Sequence, residues 1–303
     1  MSTVVHFSPE LAAWLVQSLD QAVAPAALVQ TMINERMDPR VARAIVDAFV
    51  LARQNRGPLP VDCVLLEEPT LEFSYDPPRV PARARFDVEG RVVRVLAHYE
   101  RPPLLVLADV LDAEECAELI ELSRPRLTPS TFVDPGSGRD VVSEERTSFG
   151  MFFRLGENAL VARLDRRISA LMQLPLENGE GFQVLRYLPG AQASPHFDFL
   201  QPSNAANRAS LARSGQRVST LIAYLNDVES GGETVFPKIG LGVLPQRGNA
   251  VYFEYCNGRG QVDEQSLHAG SPVLAGEKWV LTKWMRERRF VSAGAAAAEG
   301  MFR

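Results

Sequence analysis

Residues 194–200 read SPHFDFL and place an imidazole, His196, two positions before a carboxylate, Asp198, among aromatic and apolar neighbours. On an extended strand the side chains at i and i+2 point to one face, so the spacing predicts two ligands converging on one ion. The pair carries little alone. With four histidines and 37 acids in 303 residues, chance supplies about half of one such pair. His268, in EQSLHAGSPVLAGEKW, adds a second imidazole. Two imidazoles and one carboxylate on one face of a site suit non-haem Fe(II), because three protein ligands leave three octahedral positions for co-substrates. Zinc competes for the same set. The plain alternative is a polar strand face and an unrelated loop histidine.

Lys278 follows His268 by ten residues, on what the pattern gives as the next strand. A lysine in a mostly apolar, β-rich cavity is costly unless it meets an anion, and the far end of a dicarboxylate would serve. A surface lysine beside Trp279 is the plain reading of the same residue. The dicarboxylate reading tilts the choice of metal towards iron.

The elements that must hold these residues are short. Beyond Gly181 the chain runs through GFQVLRYL, PHFDFL, RVSTLIAYL, GETVFP, NAVYFEY, SLHAGSPVL and KWVLTKWMRER, β-rich runs punctuated by Gly, Pro and Asn. That pattern predicts a sandwich or barrel rather than a parallel α/β sheet. Upstream, LLVLADV predicts a strand. Asp112 then caps a helix with Glu115 placed for a capping box, and Leu160, Val161, Leu164, Ile168, Leu171 and Met172 fall at helical spacing. The loop of residues 201–216, rich in Ser, Asn and Ala beside the strand of His196 and Asp198, is a candidate lid over the site.

Before these, three helical patterns begin at Ser8-Pro9, Pro25 and Asp38-Pro39 and suggest a compact three-helix unit. No catalytic residue type stands out in it, so it is read equally as a packing appendage or a recognition module. Prolines between residues 56 and 103 mark a connector with a candidate hairpin, FDVEGRVVRVLAH, turning at Glu89-Gly90. The expected division is 1–55, 56–103, a catalytic domain over 104–290, and a small-residue tail over 291–303. His6 and His98 have no ligand-type neighbours and are taken as structural.

The composition, 46% hydrophobic and 23% charged with a formal net charge of -5, is ordinary for a globular chain. Nothing in it calls for nucleic acid or an anionic membrane surface. The first residues do not form a secretory signal, and no apolar run approaches 18 residues. Cys63, Cys116 and Cys256 are odd in number and widely spaced, which predicts reduced thiols in a cytoplasmic protein. Oligomeric state is open.

Taken together, YLPGAQASPHFDF, QRVSTLIAYLNDVESGGETVFP, SLHAGSPVLAGEKW and LTKWMRER resemble the prolyl 4-hydroxylase family of Fe(II)/2-oxoglutarate dioxygenases. The resemblance covers residues 105–288, including the upstream SEERTSFGMFF. It implies an α+β chain whose catalytic domain is a double-stranded β-helix, or jelly roll, with supporting helices. It implies Fe(II) held by His196, Asp198 and His268, with 2-oxoglutarate and O2 as co-substrates and ascorbate as reductant. Lys278 matches the residue that pairs with the distal carboxylate of 2-oxoglutarate, and Tyr187 a tyrosine that hydrogen-bonds the same molecule. Arg217 and Trp284 match positions that face a peptide substrate. Relatives that halogenate carry a small residue at the position of Asp198, so the carboxylate implies hydroxylation. One position departs: Ala193 stands where peptide hydroxylases can carry a substrate-facing tyrosine, which puts the substrate in doubt. The leading expectation is hydroxylation of a prolyl residue in a peptide or protein. The alternatives are a free amino acid or small metabolite as substrate, or a metal-binding interaction protein without turnover.

Overall fold

Each helix at the start of the chain begins at a proline, where the sequence predicts its first turn. In the computed structural model, which describes residues 2–54, 57–67, 73–129, 131–133, 140–142 and 148–292, the chain divides into two units, Met1–Glu72 and Phe73–Arg303. In the first, Ser8 Oγ accepts the Leu11 N–H at 3.3 Å ahead of Pro9–Asp20. Pro25 opens Pro25–Asn34, and Asp38 Oδ1 accepts the Arg40 N–H at 2.8 Å as Pro39–Gln54 begins. These contacts satisfy amides that have no partner inside the helix. Leu15, Leu28, Met32, Ile45 and Phe49 form the core between the helices.

A two-stranded sheet joins the ends of this unit: Ser2–His6 pairs antiparallel with Cys63–Glu67, Val5 opposite Val64. Neither strand is expected from periodicity. A five-residue run becomes a strand only when a distant partner supplies its hydrogen bonds.

The second unit contains a nine-stranded antiparallel sheet and a four-stranded one. From Gln183 onwards the chain alternates between them. Gln183–Tyr187 lies in the large sheet, Ala193–His196 in the small one, and Arg217–Tyr224 in the large one. Thr234–Phe236 and Leu241–Val243 return to the small sheet, Ala250–Glu254 to the large, His268–Gly270 to the small and Lys278–Arg286 to the large. This winding of eight antiparallel strands around one axis is a double-stranded β-helix, the jelly roll expected above.

The large sheet is covered on both faces, which explains its unbroken apolar runs. Along Arg217–Tyr224, Leu221 and Ala223 face the helices Ala113–Ser123 and Ala159–Leu171, while Ile222 and Tyr224 face the space between the sheets. The alternation follows from the period of two along a strand. Asp112 and Glu115 form a reciprocal capping box, and Asn158 caps the second helix.

Three expectations meet a different arrangement. Residues 56–103 are more than a connector: the expected hairpin forms, with Arg85–Val88 pairing with Arg91–Tyr99 around Glu89-Gly90 and extending the large sheet beyond Leu104–Ala108, while Cys63–Glu67 pairs within the first unit. Residues 201–216 are not a continuous loop, because Asn204 accepts the Asn207 N–H at 2.8 Å and caps a helix, Ala205–Ser214. The strand holding His196 ends at that residue, so Asp198 lies in a bend and not on the same strand face. Residues 143–147 of SEERTSFGMFF and most of the tail lie outside the described residues.

Candidate metal and co-substrate site

Strand pairing brings together histidines 72 residues apart. Ala193–His196 runs antiparallel to His268–Gly270 in the small sheet, with His196 and His268 as direct partners. Their ring centroids are 4.4 Å apart. Asp198 joins them from the following bend, with Oδ1 3.9 Å from His196 Nε2 and Oδ2 3.6 Å from His268 Nε2. A ligand atom from each of the three lies within 4.8 Å of the others.

The orientation of both rings is set from behind. His196 Nδ1 is 2.8 Å from the Ser194 carbonyl and His268 Nδ1 3.0 Å from the Ser266 carbonyl. A carbonyl only accepts, so each Nδ1 carries a proton and each Nε2, aimed at Asp198, is the nitrogen left to bind a metal, as metal-bound histidines require. Two long-range contacts place the carboxylate. Thr220 Oγ1 donates to Asp198 Oδ2 at 2.7 Å, and Arg217 Nη1 donates to the Asp198 backbone carbonyl at 3.3 Å. Burial alone would raise the Asp198 pKa. His268, His196 and Arg217 with the Thr220 hydroxyl outweigh it and hold the group below its ordinary value. Asp198 and His268 are buried, whereas the His196 side chain is 42% exposed at the mouth.

Lys278 opens the strand Lys278–Arg286 and pairs with Tyr187 across the large sheet. Its Nζ lies 5.5 Å from the Tyr187 ring centroid and 5.8 Å from that of Tyr224. Burial depresses its pKa to about 8, against a smaller upward pull from Glu233. The amine makes no hydrogen bond or ion pair among the described residues, although its side chain is almost fully buried. One cavity of about 450 Å³, including its open mouth, is lined by His196, Asp198, His268, Tyr187 and Lys278. Gly270 forms part of its wall, where an added Cβ would sit 3.8 Å from Lys278 Nζ and 3.5 Å from Ala193 Cβ.

Of the two residues expected to face a substrate, Trp284 lines this cavity, whereas Arg217 is not among its lining residues and clusters behind Trp284. The guanidinium of Arg217 grips Glu180 through Nε at 2.7 Å and Nη2 at 2.8 Å, and stacks 4.1 Å from the Trp284 ring centroid. Glu180 also accepts from Arg286 at 3.2 Å. Trp284 lines the cavity, and its buried Nε1–H has no partner among the described residues. Ala193 lines it too, buried against Gly270.

The donor set fits a non-haem iron: two neutral imidazole nitrogens, an ionised carboxylate and open space on the cavity side. The buried amine fits an anionic co-substrate. The profile of the 2OG-Fe(II) oxygenase superfamily matches residues 182–286, the span containing all of these groups. Prolyl 4-hydroxylase 1 of Arabidopsis thaliana is 43% identical over 202 residues, covering 62% of this chain and 70% of the relative. The chain belongs to the prolyl 4-hydroxylase family of Fe(II)/2-oxoglutarate dioxygenases. Prolyl 4-hydroxylase 5 of the same plant is 39% identical over 209 residues, with the same coverage. Among solved structures, the viral collagen prolyl hydroxylase of Paramecium bursaria chlorella virus-1, in complex with 2OG, is 25% identical. It covers 60% of this chain and 95% of its own at a TM-score of 0.48. As a family member the chain is a 2-oxoglutarate-dependent dioxygenase, with Fe(II), 2-oxoglutarate and O2 as its cofactor and co-substrates.

Three residues of the site escape sequence reading. Thr220 is a polar residue in the apolar run RVSTLIAYL, an available signal. Glu180 precedes the strand without any motif, and Tyr255, whose hydroxyl is 2.9 Å from Thr220 Oγ1, looks like core.

Proposed function

We propose that this dioxygenase hydroxylates a prolyl residue within a peptide or protein, with His196, Asp198 and His268 holding Fe(II) and Lys278 binding the distal carboxylate of 2-oxoglutarate. The observation that carries this reading is one cavity joining the cross-strand histidine pair, the ionised Asp198 and a buried amine that makes no ion pair among the described residues. The named substrates of relatives supply the prolyl part.

When bound, the iron couples decarboxylation of 2-oxoglutarate to succinate and CO2 with insertion of one oxygen atom into a C–H bond. The chain's own groups bind, orient and shield. The Ser194 and Ser266 carbonyls hold the proton on each Nδ1 so that Nε2 stays available. Thr220 fixes which Asp198 oxygen is occupied by a hydrogen bond. Lys278 fixes the far end of the co-substrate, and the phenol of Tyr187, on the paired strand, helps orient it. Arg217 and Trp284 face the incoming chain, where the indole N–H is available to a substrate carbonyl. Ascorbate serves as reductant. The free thiols of Cys63, Cys116 and Cys256 suit a reducing compartment such as the cytoplasm. The unit Met1–Glu72 serves as a recognition or packing element for the dioxygenase unit Phe73–Arg303.

Ala193 favours a second reading, a free amino acid or small metabolite as substrate, because no aromatic ring covers the mouth at that position. Incubation with Fe(II), ascorbate and 2-oxoglutarate, read by mass spectrometry, separates the two. Gain of one oxygen on proline-bearing peptides supports the proposal. Gain on small molecules alone transfers it to the second reading, and no 2-oxoglutarate consumption with any substrate pool removes both.

A further inference from the structure

The segment of residues 73–80 runs as a strap along Ala250–Glu254 and the loop after it. The Arg79 and Val80 N–H groups donate to the Glu254 carboxylate, each at 3.1 Å. Asn257 Nδ2 donates to the Ser74 carbonyl at 2.8 Å and the Gly258 N–H to Asp76 Oδ2 at 2.7 Å. Between these contacts the Tyr75 O–H donates to Asp263 Oδ2 at 2.7 Å. Asp263 is only 2% exposed, and among the described residues no cation meets it. Its other oxygen accepts the Gln265 N–H at 2.9 Å, and its carbonyl accepts the Ser266 hydroxyl at 2.6 Å. These bonds shape the turn Glu264–Ser266, whose last carbonyl receives His268 Nδ1 at 3.0 Å.

A line of contacts therefore runs from the phenol through a buried carboxylate and one turn to the ring of His268. We propose that Tyr75 is a positioning residue for the metal ligand His268, a role that rests on the reading of His268 as a ligand. Removing the hydroxyl leaves a buried carboxylate oxygen without its donor. The turn then relaxes or admits water, and the Ser266 carbonyl no longer fixes the imidazole. Outer partners of metal-bound histidines are worth about 10–100-fold in metal affinity. Tyr75 acts through a turn, which places it at the low end.

The test titrates the full chain with Mn(II) as a stand-in for Fe(II), reading the free ion by electron paramagnetic resonance, with thermal melting as a check of folding. Tyr75→Phe is expected to raise the Mn(II) Kd about tenfold while leaving the KM for 2-oxoglutarate unchanged. Asp263→Ala, which removes the acceptor of the phenol together with that of the Gln265 N–H, should raise it at least as much, and the double variant should lose no more than Asp263→Ala alone, because the phenol's contact is already gone. Arg79→Ala, which removes the guanidinium's contacts with Glu254 at 3.5 Å and with the Cys256 carbonyl at 3.4 Å but none at the turn, should leave the Kd as it was. The proposal is overturned by a folded Tyr75→Phe variant binding Mn(II) within twofold of the parent, by additive losses in the double variant, or by an equal loss in Arg79→Ala. If Tyr75→Phe fails to fold, an unchanged Kd in Asp263→Ala overturns it and a rise of about tenfold or more supports it. A parent protein that binds no Mn(II) sinks the metal-site reading itself, a separate result.

Discussion

At Lys278 burial and function pull in opposite directions. Its pKa falls from the ordinary 10.5 to about 8 because the amine is buried, so the folded protein carries its charge at a cost below pH 8. Between pH 8 and 10.5 the unfolded chain binds the extra proton, and stability of the ligand-free protein therefore rises with pH across that window. Co-substrate binding has the opposite sign, because only the charged amine attracts a dicarboxylate. The stabilisation that 2-oxoglutarate confers on the Mn(II)-loaded protein should shrink as pH rises above about 8, which thermal melting at pH 7 and pH 9.5 checks. Lys278→Met should raise the KM for 2-oxoglutarate roughly thirtyfold or more, the equivalent of about 2 kcal/mol for a buried charge pair that loses one partner. The same variant should not melt lower when ligand-free, since a buried charge is gone. Steady-state kinetics and melting curves separate these effects. Lys278 was legible from its type and distance from His268, whereas Tyr75 was not: its partner Asp263 lies 188 residues away.

At the scale of elements, the strands around the site were readable because each is a short run with a turn signal at its end. What could not be read is where a strand stops being straight. The spacing of His196 and Asp198 predicts one strand face, but the strand ends at His196, and Thr220 and Arg217 from another strand set the carboxylate. The helix Ala205–Ser214 had a local signal in the Asn204 cap, and its polar, even composition hid it. Thr220→Val keeps the shape of the strand and removes the donor to Asp198 Oδ2, so metal affinity should fall about tenfold with little change in fold. Isothermal titration of the metal would show it, and unchanged affinity would mean that the hydroxyl does not orient the ligand. Gly181 tests the packing of the sheet itself, because an added Cβ would run into the Phe153 carbonyl oxygen. Gly181→Ala should cost about 2–3 kcal/mol in urea unfolding.

Across the whole molecule, every group lining the cavity belongs to the unit Phe73–Arg303. A chain beginning at Phe73 should therefore bind metal and 2-oxoglutarate as the full chain does, and differences confined to protein substrates would assign the first unit to recognition. The boundary at Glu72 was hidden by the proline-rich composition of residues 56–103, which reads as a linker although parts of it belong to the sheets on either side. The central claim is that three side chains gathered from a strand, a bend and a second strand hold one iron. Anaerobic titration of the full chain with Fe(II), followed by calorimetry, tests it most directly. One equivalent should bind to the parent and to Lys278→Met, and affinity should collapse in His196→Ala, Asp198→Ala and His268→Ala alike. Stoichiometric binding that survives all three alanine substitutions would contradict the account.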